Sequence, residues 1–223
     1  MNNLNILYED NHIIAVVKPN NVLSQQDSTG DIDMLTIVKK YIKEKYNKPG
    51  NVYVGLVHRL DRPVGGVMIF AKSSKAASRL SDMIKNHNLK KYYIAIVNGI
   101  MENKTGEFKD YLFKEENGNT IVSKKGKGKE AILKYKVLEE NISNNLSLIE
   151  IELLTGRHHQ IRVQFSSRNH PLYGDQRYGK NDNMQIALWA YKVEFIHPVK
   201  KEKMIIQCMP ERKDGWKMFD IKI

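Results

Sequence analysis

The sequence predicts an α+β fold, a single domain built on a mixed, largely antiparallel sheet. Three observations carry that expectation. Short β-type runs joined by polar turns recur along most of the 223 residues. Only three segments place apolar residues at helical spacing, and neither a repeat of fixed period nor a linker interrupts the chain.

Residues 6–9 and 13–18 flank Asp10-Asn11, a turn signal, and read as a hairpin that Pro19-Asn20-Asn21 ends. Residues 27–30 are a polar loop. Asp31 or Asp33 can cap a helix over 34–46, where Leu35, Val38 and Ile42 lie on one face and Pro49-Gly50 ends the run. Strands are expected at 52–57 and 67–71. Between them His58-Arg59-Leu60-Asp61-Arg62-Pro63-Val64-Gly65-Gly66 is dense in charge, Pro and Gly, so it is a loop gripped by buried strands. Ser73 or Ser74 caps a second helix that runs through Leu80 and Ile84. Residues 92–97 form a central strand, and 107–154 hold several strands with turns such as Glu116-Asn117-Gly118-Asn119. A third helix is predicted over 159–167, with Ile161 and Phe165 four apart, and strands at 186–196 and 204–208 close the fold.

Composition narrows the function classes. Apolar residues make up 41%, enough for a sizeable core at this length. Lys and Arg number 36 against 25 Asp and Glu, a net charge of +11. That excess divides almost evenly, +5 up to Leu112 and +6 after it, so it is not a detachable tail. A folded basic chain points to a polyanion, with RNA, DNA and acidic lipid as candidates. The longest apolar run, 13–17, falls far short of the roughly 20 residues of a membrane span. The start, Met1-Asn2-Asn3-Leu4, lacks a basic stretch leading into an apolar one, and the expected location is the cytoplasm. Cys208 is the sole cysteine, which excludes an intrachain disulfide and a multi-cysteine zinc site.

Two loops stand out for chemistry. Asp61 sits among His58, Arg59 and Arg62; neighbouring guanidinium groups favour an ionised carboxylate that could act as a nucleophile. The same pattern also fits a structural Asp–Arg pair closing a tight turn. Gly65-Gly66 would let the backbone approach a ligand. The second loop, Thr155-Gly156-Arg157-His158-His159-Gln160-Ile161-Arg162, leads into the third helix. If the helix forms, His158 and Arg162 lie four apart on one face suited to a carboxylate or phosphate. The adjacent histidines do not have the i, i+4 spacing of paired metal ligands, and no metal is expected. Tyr92 and Tyr93 occupy successive strand positions, so one can reach a pocket while the other packs. Lys124-Lys125-Gly126-Lys127-Gly128-Lys129 is a basic loop suited to phosphate contacts. Neither a phosphate loop nor a dinucleotide fingerprint occurs, so no nucleotide cofactor is expected.

Taken together, these segments resemble the RluA-type pseudouridine synthases. His58-Arg59-Leu60-Asp61, followed by Gly66 and Ala71-Lys72, is similar to that family's catalytic signature. Leu7-Tyr8-Glu9-Asp10 with Ile14-Ala15-Val16 and Lys18-Pro19 resembles its N-terminal motif, and Lys91-x-Tyr93-x-Ala95 its tyrosine motif. Thr155-Gly156-Arg157-x-His159-Gln160-Ile161-Arg162, His170-Pro171, Gly174-Asp175 and Tyr178-Gly179 are similar to its C-terminal motif. The matches keep the family's order from about residue 6 to 195. Two departures are visible: Pro63-Val64-Gly65 where the family often has Asp-Thr-Ser, and His158 where Thr or Ser is common.

The resemblance implies a sheet with flanking helices and an active-site cleft over residues 1–223, without a separate S4-like RNA-binding domain. It implies conversion of uridine to pseudouridine in structured ribosomal or transfer RNA without a cofactor; a monomer is the default expectation. It assigns Asp61 as the essential carboxylate, Arg162 as its basic partner and Tyr93 as the ring stacked on uracil. Arg59 would hold or replace the flipped nucleotide, with His58, Arg62, Lys91, Arg157, His159 and Gln160 as further RNA contacts. An inactive RNA-binding protein of the same fold is the alternative.

Overall fold

The computed structural model describes residues 4–180 and 182–221; Met1-Asn2-Asn3, read above for a leader, lie outside them. The backbone gathers into two units. One comprises the chain up to Lys90 with Ala190–Met209, the other Lys91–Trp189 with the chain from Pro210 onward. Elements are numbered along the chain.

In the first unit β1 (Ile6–Glu9) and β2 (Ile13–Lys18) form the expected hairpin. Asp10 makes the turn: its Oδ1 accepts from the His12 and Ile13 amides at 2.8 and 3.0 Å. β2 pairs antiparallel with β4 (Gly65–Ala71), from Ile13 opposite Ala71 to Lys18 opposite Gly66. The strand order is β1-β2-β4-β10, where β10 (Leu188–Ile196) also carries β11 (Lys203–Gln207). Every residue of β4 is buried, so the sheet is covered on both faces here. Ile13, Ala15, Val67, Ile69 and Ala71 share one core with Ala76 and Leu80 of α2 (Ser74–Lys85).

The helix caps follow side-chain chemistry. In α1 (Met34–Lys45), Asp33 accepts from the Thr36 amide at 3.1 Å and hydroxyl at 2.6 Å. Met34, Val38 and Ile42 form its buried stripe. The helix ends a residue before the expected stop because Asn47 turns left-handed, φ 46°. Ser73, not Ser74, caps α2 through the Ala76 amide.

The predicted strand at 52–57 shrinks to β3 (Gly55–Leu56), which pairs with Ala71 and Phe70. Residues 52–54 would face positions past Ala71, where β4 ends, and the other end is closed by a side chain. On the same edge of β4, the Ile69 amide donates to His58 Nε2 at 2.9 Å, so a side chain replaces the next rung. β10 fills the edge beyond, passing directly over Gly66. A Cβ there would lie 2.2 Å from the Ala190 carbonyl oxygen, and φ is +127°. The glycine thus serves strand packing.

The second unit carries β5 (Lys90–Asn98), β6 (Thr105–Lys114), β7 (Thr120–Ser123), β8 (Lys129–Asn141) and β9 (Leu146–Leu153), in the order β5-β9-β8-β6-β7 with antiparallel neighbours. Alternation on β8 buries Ala131, Leu133 and Tyr135. Tyr135, Phe108 of β6 and Phe165 of α3 (Gln160–Ser166) form an aromatic cluster with centroids 4.8–5.9 Å apart. A short 3₁₀ turn, Asp214–Met218, buries Trp216 and had no counterpart in the sequence reading.

Candidate active site

The Asp61 loop is held from three sides within the first unit. Ser24 Oγ donates to the Leu60 carbonyl at 2.7 Å and accepts from the Leu60 amide at 3.0 Å. The Val64 amide closes a turn onto the Asp61 carbonyl at 3.0 Å. Beneath the turn lies Lys18 at the end of β2, wholly buried, donating to the Arg62 and Pro19 carbonyls at 2.9 and 3.0 Å. Burial pulls the Lys18 amine down to about 7; the charge of Asp61 pulls it up, and that of Arg62 pushes it down. Lys18 was quoted in the family resemblance but given no role by sequence, since a lysine ending a strand ordinarily reads as solvent-facing.

Both arginines of this loop reach the surface. Arg62 pairs with Asp31 at 2.7 Å on the surface, and Arg59 is exposed. Leu60 is buried between them and anchors the turn.

In the second unit Tyr93 is 7% exposed on β5, opposite Ile151 of β9. Lys91, two residues earlier, shares its face; burial lowers the pKa of that amine. A Cβ on Gly156 would sit 3.3 Å from Lys91 Nζ, so the tyrosine strand and the Thr155-Gly156-Arg157 turn meet.

α3 begins at Gln160 because His159 takes left-handed backbone, φ 51°. His158 therefore precedes the helix, and the shared His158–Arg162 face does not form. Arg162 is instead gripped by Asp175: Nε and a terminal nitrogen donate to its two carboxylate oxygens at 2.8 and 2.7 Å, and both residues are buried. Asp175 also accepts from the Arg177 and Tyr178 amides at 3.0 and 3.1 Å. The guanidinium lies 5.1 Å from the centroid of Tyr178. The Tyr178 hydroxyl accepts from the Thr120 amide at 2.9 Å and shares a hydrogen bond of 2.7 Å with His159 Nδ1. Burial, then the charge of Arg162, lowers His159 to about 2, so the ring is neutral. His158 stacks on it at 3.7 Å and meets Thr120 Oγ1 at 2.8 Å.

Gln160, read as an RNA contact, turns inward. Its Oε1 accepts from Thr155 Oγ1 and the Arg157 amide, and its Nε2 donates to the Ile132 carbonyl, so it fastens the turn to β8. Arg157 stays exposed and donates through Nε to the Glu130 carbonyl at 2.7 Å.

Comparison with known proteins covers the same segments. A family model described as RNA pseudouridylate synthase matches residues 12–167. An uncharacterized RNA pseudouridine synthase, YhcT of Bacillus subtilis, is 34% identical over 208 residues, covering 92% of this chain and 68% of the relative. The ribosomal large subunit pseudouridine synthase C of Buchnera aphidicola subsp. Acyrthosiphon pisum is 33% identical over 217 residues, covering 91% and 66%. The chain thus spans about two thirds of those proteins. Human RNA Pseudouridylate Synthase Domain Containing 4 has the same fold, with a TM-score of 0.79 over 96% of this chain and 90% of its own at 18% identity. Motif order, sheet and family model converge on the same residues, and on that ground this chain belongs to the RluA-type RNA pseudouridylate synthases.

Proposed function

We propose that this chain, acting through residues 1–223 as one catalytic domain, isomerises specific uridines of structured ribosomal or transfer RNA, with Asp61 as the essential carboxylate. The observation that carries the reading is the Asp61 loop itself, its backbone pinned by Ser24 at Leu60 and by the buried Lys18 amine at Arg62. A single-domain reading is supported by the family model, which runs unbroken past the boundary at Lys90. The name of the Buchnera relative, a ribosomal large subunit pseudouridine synthase, favours ribosomal RNA.

The reaction breaks the N1–C1′ bond, turns the uracil and joins C5 to C1′; C5 loses its proton and N1 gains one. Asp61 acts on the ribose, by attack at C1′ or by removing the C2′ proton. Tyr93 stacks on the base, and Arg162, fixed by Asp175, supplies the positive charge of the site. Extruding the target nucleotide costs a few kcal/mol, and Arg59, exposed beside Asp61, is suited to holding the vacated stack. His58, Arg62, Lys91, Arg157 and His159 are the remaining proposed RNA contacts.

Tritium release from RNA carrying 5-labelled uridine, paired with filter binding, tests this. Asp61→Ala is expected to abolish release and keep RNA affinity, while Arg59→Ala lowers both. Substantial release by Asp61→Ala removes the carboxylate from the mechanism, and binding without release by the intact chain leaves an RNA-binding protein of the same fold.

A further inference from the structure

At the far end of β4 from the Asp61 loop lies a small open recess of about 130 Å³, lined by Asn11, Ile42, Tyr46, Lys48, Tyr53 and Lys72. At about 3.3 Å per residue, the seven residues of β4 separate it from that loop by roughly 20 Å. The segment feeding it, residues 39–48, holds five lysines and one glutamate, interleaved with Tyr41 and Tyr46.

One wall is built rigidly. Glu9 accepts from Lys45 at 2.6 Å, Lys72 at 2.7 Å, the Tyr46 hydroxyl at 2.8 Å and the Tyr41 hydroxyl at 2.9 Å. Burial alone would raise this carboxyl, but those hydrogen bonds outweigh it and hold it at about 2. Lys72 lies 4.7 Å from the Tyr46 ring centroid. This cluster ties α1 to the hairpin and needs nothing further.

Lys48 and Tyr53 stand outside that structural purpose. Among the described residues Lys48 makes no ion pair. The Tyr53 ring is half exposed, and its hydroxyl is drawn back over Gly55, where a Cβ would come within 3.0 Å. The Lys48 ammonium lies 6.0 Å from the Tyr46 ring centroid; an exposed aromatic face beside an ammonium group that no carboxylate holds is the arrangement that takes a stacked base and its phosphate. Asn11 adds an amide able to donate and accept at a base edge.

We propose that this recess is an accessory site for one unpaired nucleotide of the RNA, its base against Tyr53 and its phosphate at Lys48. The proposal rests on the RNA-modifying function above and extends the RNA path to a surface remote from Asp61.

The test uses the full chain and a single-stranded RNA of about 12 nucleotides. Lys48→Ala with Tyr53→Ala is expected to weaken binding about tenfold and to make it less salt-dependent. Lys48→Arg with Tyr53→Phe, which keeps charge and ring, is expected to bind as the unaltered chain does. Ultraviolet cross-linking followed by peptide mapping should mark Tyr46 or Tyr53. Unchanged affinity in the alanine pair, or cross-links confined to other peptides, overturns the site. If the alanine pair folds poorly, Lys48→Glu alone must still lower affinity for the site to stand. Pseudouridine formation together with unchanged binding by these variants would remove this site and leave the function. Site-dependent binding without pseudouridine formation would do the reverse.

Discussion

Lys18→Met is the most searching perturbation of the Asp61 loop. In the folded chain the amine sits at about 7 instead of 10.5, chiefly through burial. The unfolded chain therefore holds a proton that the folded chain has lost between those values. Stability rises with pH wherever the unfolded state binds more protons, so the wild type gains stability from pH 7 upward and loses that gain on acidification. Moving an amine from 10.5 to about 7 corresponds to about 5 kcal/mol in full, at 1.36 kcal/mol per pH unit. Between pH 7.5 and 9 the contribution is about 2 kcal/mol. Methionine has no proton to lose and keeps the stem volume, so the variant lacks this slope. It also strips donors from the Arg62 and Pro19 carbonyls, at a cost of about 1–3 kcal/mol for each one left unsatisfied. Urea unfolding of both proteins at several pH values reads this directly, because other titrating groups cancel in the difference. Parallel pH dependence in the two chains would refute the reasoning.

Asp175→Asn removes the charge that compensates buried Arg162 and is expected to destabilise the fold by about 3–5 kcal/mol while greatly lowering turnover, measured by urea unfolding and tritium release. Gly66→Ala drives a methyl against the Ala190 backbone and is expected to prevent accumulation of folded protein, checked by soluble yield and circular dichroism. Gln160→Ala frees the Thr155–Arg157 turn from β8 and should cost about 1–3 kcal/mol; loss of RNA affinity without loss of stability would return Gln160 to the RNA surface.

Where a structural feature is determined locally, it was legible in the sequence. Asp33 and Ser73 cap their helices through amides three residues on, and Asp10 closes its hairpin within three residues. The Asp61 loop stood out because charge between two buried-type strands is conspicuous. What escaped reading depends on partners distant in the chain. The 52–57 strand is cut short at one end because β4 stops at Ala71 and at the other by His58 capping Ile69. The expected His158–Arg162 face is lost because His159 is left-handed and delays the first turn, and Arg162 is held by Asp175, 13 residues on. Lys18 is buried by a loop more than 40 residues downstream.

The crossing of β10 over Gly66 bears on synthesis at the ribosome. β4 ends at Ala71 and its neighbour reaches it at Ala190, about 120 residues later. At about 5–20 residues per second, the outer edge of β4 waits roughly 6–24 s for its partner. Throughout that interval the part of β4 before Ile69, beyond the reach of β3 and His58, has an unpaired edge, the condition under which nascent chains pair with one another. A chain truncated before β10 should therefore aggregate during translation, and holdase chaperones should engage the growing polypeptide until its last hundred residues have emerged.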